Sequence, residues 1–195
     1  MPRYRTRSWR QFEPGAAVPQ EPRLNPAETL RILGLDPGSR HTGFGLIQCH
    51  GSDYVHVAHG RISCPGTELI DRLRIIFEGV QALITQHQPN EIAVERVFVN
   101  RNVDSALKLG QARGAALSAV PRGTIVFEYA PRAIKSAVVG FGGAEKTQVA
   151  HMMRALLKLE GRIAVDATDA LAVAVCHAHS RRVKLLTQQS SGGSR

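Results

Sequence analysis

Arg31-Ile-Leu-Gly-Leu-Asp36-Pro-Gly38 is an apolar run that stops on a carboxylate and then on a Pro-Gly turn. Proline cannot donate to a central ladder and glycine permits a tight turn, so the run predicts a buried strand with Asp36 at its C-terminal end. Working outward, Phe44–Cys49 and Tyr54–Ile62 read as two further strands joined through His50-Gly51-Ser52. The first three strands are therefore expected to form an antiparallel meander. Thr67–Gln88 carries apolar residues at Leu69, Ile70, Leu73, Ile76, Phe77, Val80, Leu83 and Ile84, which is helical spacing with Thr67 as the N-cap. Pro89-Asn90 ends that helix, and Glu91–Glu95 is a short strand expected to return parallel to the first. Val103–Val120 reads as a second helix, Thr124–Tyr129 as a fifth strand, and Pro131–Val139, Ala144–Leu159 and Val165–His179 as helices. This order predicts an α/β fold, a five-stranded mixed sheet covered by helices. Residues 1–30, rich in Arg, Pro, Gln and Glu without periodicity, and residues 183–195, ending in Gln, Ser and Gly, read as flexible tails around one domain, 31–182.

Composition bounds the function. The chain has 195 residues, 43% of them hydrophobic, enough for a real core and too many for a disordered protein. No apolar run approaches the roughly 18 residues of a membrane span, and the first thirty residues hold no apolar stretch of the kind a secretory signal needs. Cys49, Cys64 and Cys176 show no CxxC pairing and read as small buried residues of a reduced, cytoplasmic protein. A disulfide scaffold and a membrane protein are excluded on this reading. The formal charge is +9, unevenly spread: residues 32–95 hold four basic and seven acidic groups, and residues 96–162 eleven basic and four acidic. Carboxylates beside a basic surface suit a metal-dependent enzyme acting on a polyanion.

Acids stand where a soluble fold seldom puts them. Asp36 ends the first strand and Glu95 the fourth; if those strands are parallel neighbours, their ends lie about 5 Å apart. Two carboxylates that close repel unless a cation or a proton lies between them. Val165-Asp166-Ala-Thr-Asp169-Ala170 opens an otherwise apolar helix, and Asp166 and Asp169, at i and i+3, share one face. Singly, each acid suits a turn or a helix start. Jointly, four oxygen donors without a Cys or His cluster point to Mg²⁺, or Mn²⁺, rather than zinc.

The same residues carry a family resemblance. Arg31-Ile-Leu-Gly-Leu-Asp-Pro-Gly-Ser-Arg-His-Thr-Gly43, Val94-Glu95, Asp104-Ser-Ala-Leu-Lys-Leu-Gly-Gln-Ala-Arg-Gly114, Val126-Phe-Glu-Tyr129, Lys135, Ala144-Glu-Lys-Thr147 and Asp166-Ala-Thr-Asp-Ala170 resemble, in one order, the motifs of the RuvC family of Holliday-junction resolvases. The resemblance implies a ribonuclease H-like fold, a homodimer, and Mg²⁺-dependent nicking of four-way junction DNA in recombination and repair. It implies two metal ions per site, catalytic acids at Asp36, Glu95, Asp166 and Asp169, and cooperation with the branch-migration motor (RuvA and RuvB). Members usually begin close to the first strand, whereas this chain carries about thirty residues before it. That extension reads either as a true tail or as a start assigned too far upstream, with translation beginning near Leu30.

Softer roles follow. Phe98 is either a core contact or an aromatic wedge for an unpaired base, the reading the resemblance favours. Arg101, Lys135 and Lys146 are candidate contacts to the DNA backbone. Gly140-Phe-Gly-Gly-Ala-Glu-Lys-Thr147 is a near miss to a phosphate loop, because Glu145 stands where the second glycine belongs. Asp36-Pro-Gly-Ser-Arg-His-Thr resembles the first phosphate loop of actin-like ATPases, but the chain is too short for their second domain. His177-Ala-His179 is expected to be a helix end facing solvent. Ala106, Gly110, Gly114 and Ser118 form a small-residue stripe, either a dimer interface or a contact with the protein's own sheet. Two other classes stay open here: a junction-binding module without chemistry, and a ribonuclease H-like nuclease acting on RNA–DNA hybrids.

Overall fold

Alternation along the strands decides which helix each side chain meets. The computed structural model describes residues 29–66, 68–96 and 102–192. Strands β1 (Leu30–Asp36), β2 (His41–His50), β3 (Asp53–Ser63), β4 (Glu91–Glu95) and β5 (Val126–Tyr129) form one sheet in the order β3-β2-β1-β4-β5. The first three make the expected antiparallel meander, and β4 runs parallel to both β1 and β5. On one face Leu33, Leu35, Leu46 and Val94 meet α1 (Leu69–His87) and α2 (Val103–Ser118) through Ile76, Val80, Ala112 and Ala116. On the other face Ile32, Ile47 and Ala93 meet α5 (Val165–Gly192), which is backed by α3 (Pro131–Val139) and α4 (Lys146–Leu157).

Helix α5 is the centre of the second layer. Nearly every residue from Ala167 to Ala178 is buried, because one side of the helix lies on the sheet and others on α3 and α4. It lies unusually close to the strands. A Cβ at Gly43 would stand 2.0 Å from the Asp166 carbonyl oxygen, and one at Gly34 2.1 Å from that of Ala170. Only glycine leaves room for a helix backbone at that distance.

Two expectations are corrected. The C-terminal helix does not end at His179: α5 continues through Gly192. Between His179 and Gly192 the chain holds no glycine or proline to break it. His177, expected at a solvent-facing helix end, is 2% exposed beneath β4 and β5. Its Nε2 lies 2.6 Å from Glu91 Oε2, Tyr129 Oη lies 2.7 Å from its Nδ1, and the Phe127 ring stacks on it at 4.2 Å. Arg181 Nε donates to the other Glu91 oxygen at 3.2 Å. Thr67 lies outside the described residues; α1 starts behind Glu68, whose side chain makes no cap bond. The three cysteines are buried thiols, as expected. Among the described residues no helix is long and apolar enough to cross a membrane.

The Glu91 cluster ties α5 to the start of β4, so it bears on stability. Burial alone would raise the Glu91 carboxyl, but the hydrogen bond and charge of His177 and the Arg181 guanidinium together hold it below its usual value. A depressed folded value means this contribution is full above the ordinary carboxylate range and is lost as pH falls through the folded value. Glu91→Ala should destabilise the fold by about 3–5 kcal/mol, because it leaves the buried His177 and the partly buried Arg181 uncompensated. Urea unfolding at pH 7 checks this; a destabilisation near zero would show that the cluster contributes nothing net.

Candidate active site

The β1–β4 register sets the first two acids. Gly34 pairs with Ala93 and Leu35 with Val94, so one further step in the same register brings Asp36 beside Glu95. Both follow the alternation that faces α5, with Ile32 and Gly34 on β1 and Glu91 and Ala93 on β4. In the other direction Asp36 pairs with Gly43, the glycine on which the Asp166 backbone rests. The first turn of α5 therefore delivers Asp166 and, one turn later, Asp169 to the same end of the sheet.

The electrostatics show how closely they gather. Burial, then the charges of Glu95, Asp169 and Asp166, push the Asp36 carboxyl up to about 7, against an opposing pull from Lys146. Burial and then Asp169 raise Glu95, with Lys146 and Lys135 opposing. Among the described residues the Asp36 side chain has no hydrogen-bond donor to offset this.

Both lysines singled out in the sequence stand in the same place. Lys135 and Lys146 line a cleft of about 70 Å³ with Glu95 and Asp169, floored by Ile134 and Val149. Lys146 Nζ donates to Asp169 Oδ2 at 2.8 Å, and that bond raises the ammonium's own pKa. Its placement comes from the stretch that misses the phosphate-loop pattern. Glu145, the residue out of place in that pattern, caps α4 in a reciprocal box with Gln148, and Lys146 is the first residue of the helix. Phe98 and Arg101 lie outside the described residues.

A residue that sequence reasoning misses holds the end of β4. Arg113 of α2, its side chain 14% exposed, donates through Nη1 to the Glu95 carbonyl oxygen at 2.7 Å and places Nη2 2.6 Å from Glu128 Oε1. It is the one charged residue among the small residues from Gly110 to Ser118, which is the available signal. The two readings of the small-residue stripe on that helix also separate. Gly110 and Gly114 are not buried and a Cβ on either would meet nothing within 4 Å, so the stripe does not pack on the protein's own sheet. The buried face of α2 is Ala112 and Ala116 instead.

The donor set fits a hard divalent cation. It offers oxygen ligands only, and Asp36 is a buried carboxylate crowded by like charge, which a cation would relieve. Among the described residues no three of these groups already converge as a closed metal cage, and Lys146 occupies one oxygen of Asp169. Asp36, Glu95, Asp166 and Asp169 are the residues that would hold the ion.

This crowding gives the metal-free protein a pH dependence. Burial and then the neighbouring acids raise the folded Asp36 value above its usual 3.8, so the Asp36 contribution to stability is full below about pH 4, is lost as pH rises towards 7, and is level above. The shift corresponds to as much as about 4 kcal/mol, less what residual water screens. Without divalent ions, the melting temperature should fall between pH 5 and pH 8, and Mg²⁺ should restore it at pH 8. Asp36→Asn should remove the fall. Equal pH profiles for the two proteins would show that Asp36 is not crowded as described.

The family profile described as "Crossover junction endodeoxyribonuclease RuvC" matches residues 32–177, which span every element that builds this site. The chain belongs to the RuvC family. The RuvC of Shewanella amazonensis is 53% identical over 152 residues, covering 77% of this chain and 88% of that protein. That of Shewanella pealeana is 55% identical over 150 residues, covering 76% and 87%. Among solved structures, Thermus thermophilus RuvC in complex with Holliday junction substrate superposes with a TM-score of 0.74 at 30% identity, covering 80% of this chain and 96% of that one. The yeast mitochondrial Holliday junction resolvase Ydc2 shares the fold alone, at TM-score 0.59 and 13% identity over 82% of this chain and 84% of that one. The ribonuclease H-like fold expected from the sequence is thus the RuvC fold, and membership of RuvC makes the chain a crossover junction endodeoxyribonuclease.

Proposed function

We propose that this RuvC enzyme resolves four-way DNA junctions with Asp36, Glu95, Asp166 and Asp169 as its catalytic acids and metal ligands. The metal is Mg²⁺, two ions per site, with Mn²⁺ able to substitute. The observation that supports the reading is Asp36 itself, a largely buried carboxyl at the end of β1 that burial and then the charges of Glu95, Asp169 and Asp166 disfavour in its ionised form. Bound there, such ions supply an acidified water at neutral pH and charge neutralisation at the 3′-oxygen that leaves, giving a 5′-phosphate and a 3′-hydroxyl.

The protein's own groups do the rest. Asp36 and Glu95, fixed by strand register, set the floor of the site, and Asp166 and Asp169 close it from the helix. Arg113 holds the Glu95 backbone through its carbonyl oxygen, so that the side chain projects from a fixed strand end. Lys135 and Lys146 contact the backbone of the cut strand, and Arg101 does so from the segment after β4. Lys146 donates to Asp169 Oδ2, and it would be free for a phosphate if that oxygen held a cation. Phe98 stacks on an unpaired base beside the cut. No covalent nucleophile is needed, because water acidified by such an ion would itself be the attacking group.

The active species is a homodimer built on α2. Val103, Leu107, Gly110 and Gly114 fall along one side of that helix; Val103 is 68% and Leu107 63% exposed, and the glycines let a second backbone approach. The enzyme acts in the cytoplasm with the branch-migration motor of recombination and repair. Substrate competition tests the reading: a labelled four-way junction, a duplex and an RNA–DNA hybrid of matched sequence are offered together with Mg²⁺. Preferential nicking of the junction supports it. Preference for the hybrid would reassign the chain to another ribonuclease H-like activity, and binding without nicking would make it a silent module.

A further inference from the structure

Asp36 pairs with Gly43, and Gly43 pairs with Arg61 on β3, so the three form one cross-strand row. Directly paired residues face the same side of a sheet, and Arg61 therefore stands on the same face as Asp36, two strands away. At about 4.8 Å per strand that offset is about 10 Å. On this side the sheet opens into a cleft of about 620 Å³ lined by Arg61, Arg162, Ile163, Ala164, Val165 and Asp166. The first turn of α5 with Asp166 and the loop before it with Arg162 line this cleft together with Arg61 of β3. Both arginines are exposed, and among the described residues neither has an ion-pair partner. Asp166 is the sole acid lining the cleft, and it is a residue the proposed metal would neutralise. A separate cleft of about 510 Å³, at the start of β2 and the end of β3, has Arg40 and His41 on its wall and no acid. The bases of this surface lie on β3 and on the loop before α5, away from the lysines of α3 and α4.

We infer that Arg61 and Arg162 form a phosphate-binding subsite for the DNA backbone, offset from the carboxylates towards β3. The inference rests on the junction-nicking reading and adds the path of the strand away from the site. A nucleic-acid strand rises about 3.4 Å per nucleotide, so an offset of about 10 Å corresponds to a phosphate up to three nucleotides from the bond that is cut. Arginine suits the role because its planar fork can hold two oxygens of one phosphate. The two residues come from separate elements, and only the register of β2 with β3 and the seating of α5 on Gly43 bring them together.

The test uses full-length protein and synthetic four-way junctions with Ca²⁺ in place of Mg²⁺ for binding. Arg61→Gln with Arg162→Gln should weaken junction binding about five- to twenty-fold at moderate salt. The slope of log affinity against log salt should fall by about 0.9 for each phosphate that is no longer neutralised. Junctions carrying one neutral methylphosphonate at each position near the cut then locate the phosphate that is held. In wild type, neutralisation within three nucleotides on one side of the cut should weaken binding about three- to ten-fold, and in the double variant the same change should have no further effect. Saturating double variant in Mg²⁺ should nick at the wild-type rate within about threefold, which also shows that it folds. An unchanged salt slope, or a methylphosphonate effect as large in the variant as in wild type, would overturn the subsite. Nicking by the wild type in the same series tests the underlying reading separately, since that reading survives even if the arginines prove dispensable.

Discussion

Asp36→Asn is expected to abolish junction nicking, by at least about a thousandfold at ordinary Mg²⁺, while junction binding stays intact or tightens. The amide keeps the shape of the side chain but lacks the charge that a hard cation requires of its ligand. No neighbouring acid can replace it. Asp36 is the last residue of β1, its direction is fixed by pairing with Gly43 of β2, and the residue after it is proline. Binding is expected to survive because removing a carboxylate lessens repulsion of DNA phosphates. The variant should also be the more stable protein at pH 8 without metal, because it removes a charge that burial, and then the neighbouring acids, disfavour. Gel analysis of labelled junctions, with binding measured on the same samples, checks the result. Substantial nicking by the variant would remove Asp36 from the site.

A bulky residue at Gly110 is expected to have the second largest effect, on assembly rather than on the fold. Gly110→Trp should raise the dimer dissociation constant at least about a hundredfold. Paired cuts in one junction should become at least about tenfold rarer than single nicks. One set of the four proposed carboxylates would cut one phosphodiester at a time, and a two-fold dimer would supply two such sites related by the symmetry of a four-way junction. The monomer should not suffer, because a Cβ at Gly110 meets nothing within 4 Å. Replacing a helical glycine even favours the helix by up to about 1 kcal/mol. Sedimentation and thermal melting separate the outcomes. A folded variant that remains dimeric and cuts in pairs would move the interface off α2.

Much of this site is legible in the chain, and the reasons are local. An apolar run that ends Asp-Pro-Gly fixes both a strand and the acid at its tip. A helical stretch followed by Glu91–Glu95 makes the next strand parallel, which brings Glu95 to the same end. Asp166 and Asp169 share a helix face by spacing alone. What escapes a local reading depends on pairings between distant segments. His177 reads as exposed because its partners, Glu91 and Tyr129, lie 86 and 48 residues away. Arg113 looks like a surface charge on a helix of small residues, and nothing local shows that it reaches the carbonyl of Glu95. Lys146 reads as a residue facing DNA, but the cap at Glu145 turns it onto Asp169. The continuation of α5 past His179 is hidden by a polar, Gln- and Ser-rich composition, although no residue before Gly192 forbids a helix.

The central claim is that one cluster of carboxylates cuts junction DNA through bound divalent metal, twice and in register. The most direct measurement is to map both cuts made by the wild-type protein in a single four-way junction, with Mg²⁺ and with EDTA, and to determine the chemistry of the new ends. The account predicts cuts at symmetric positions on two opposed strands, ligatable 5′-phosphate and 3′-hydroxyl ends, and no cutting in EDTA. Cutting that persists in EDTA, or nicks scattered without symmetry at metal concentrations that saturate the enzyme, would contradict it.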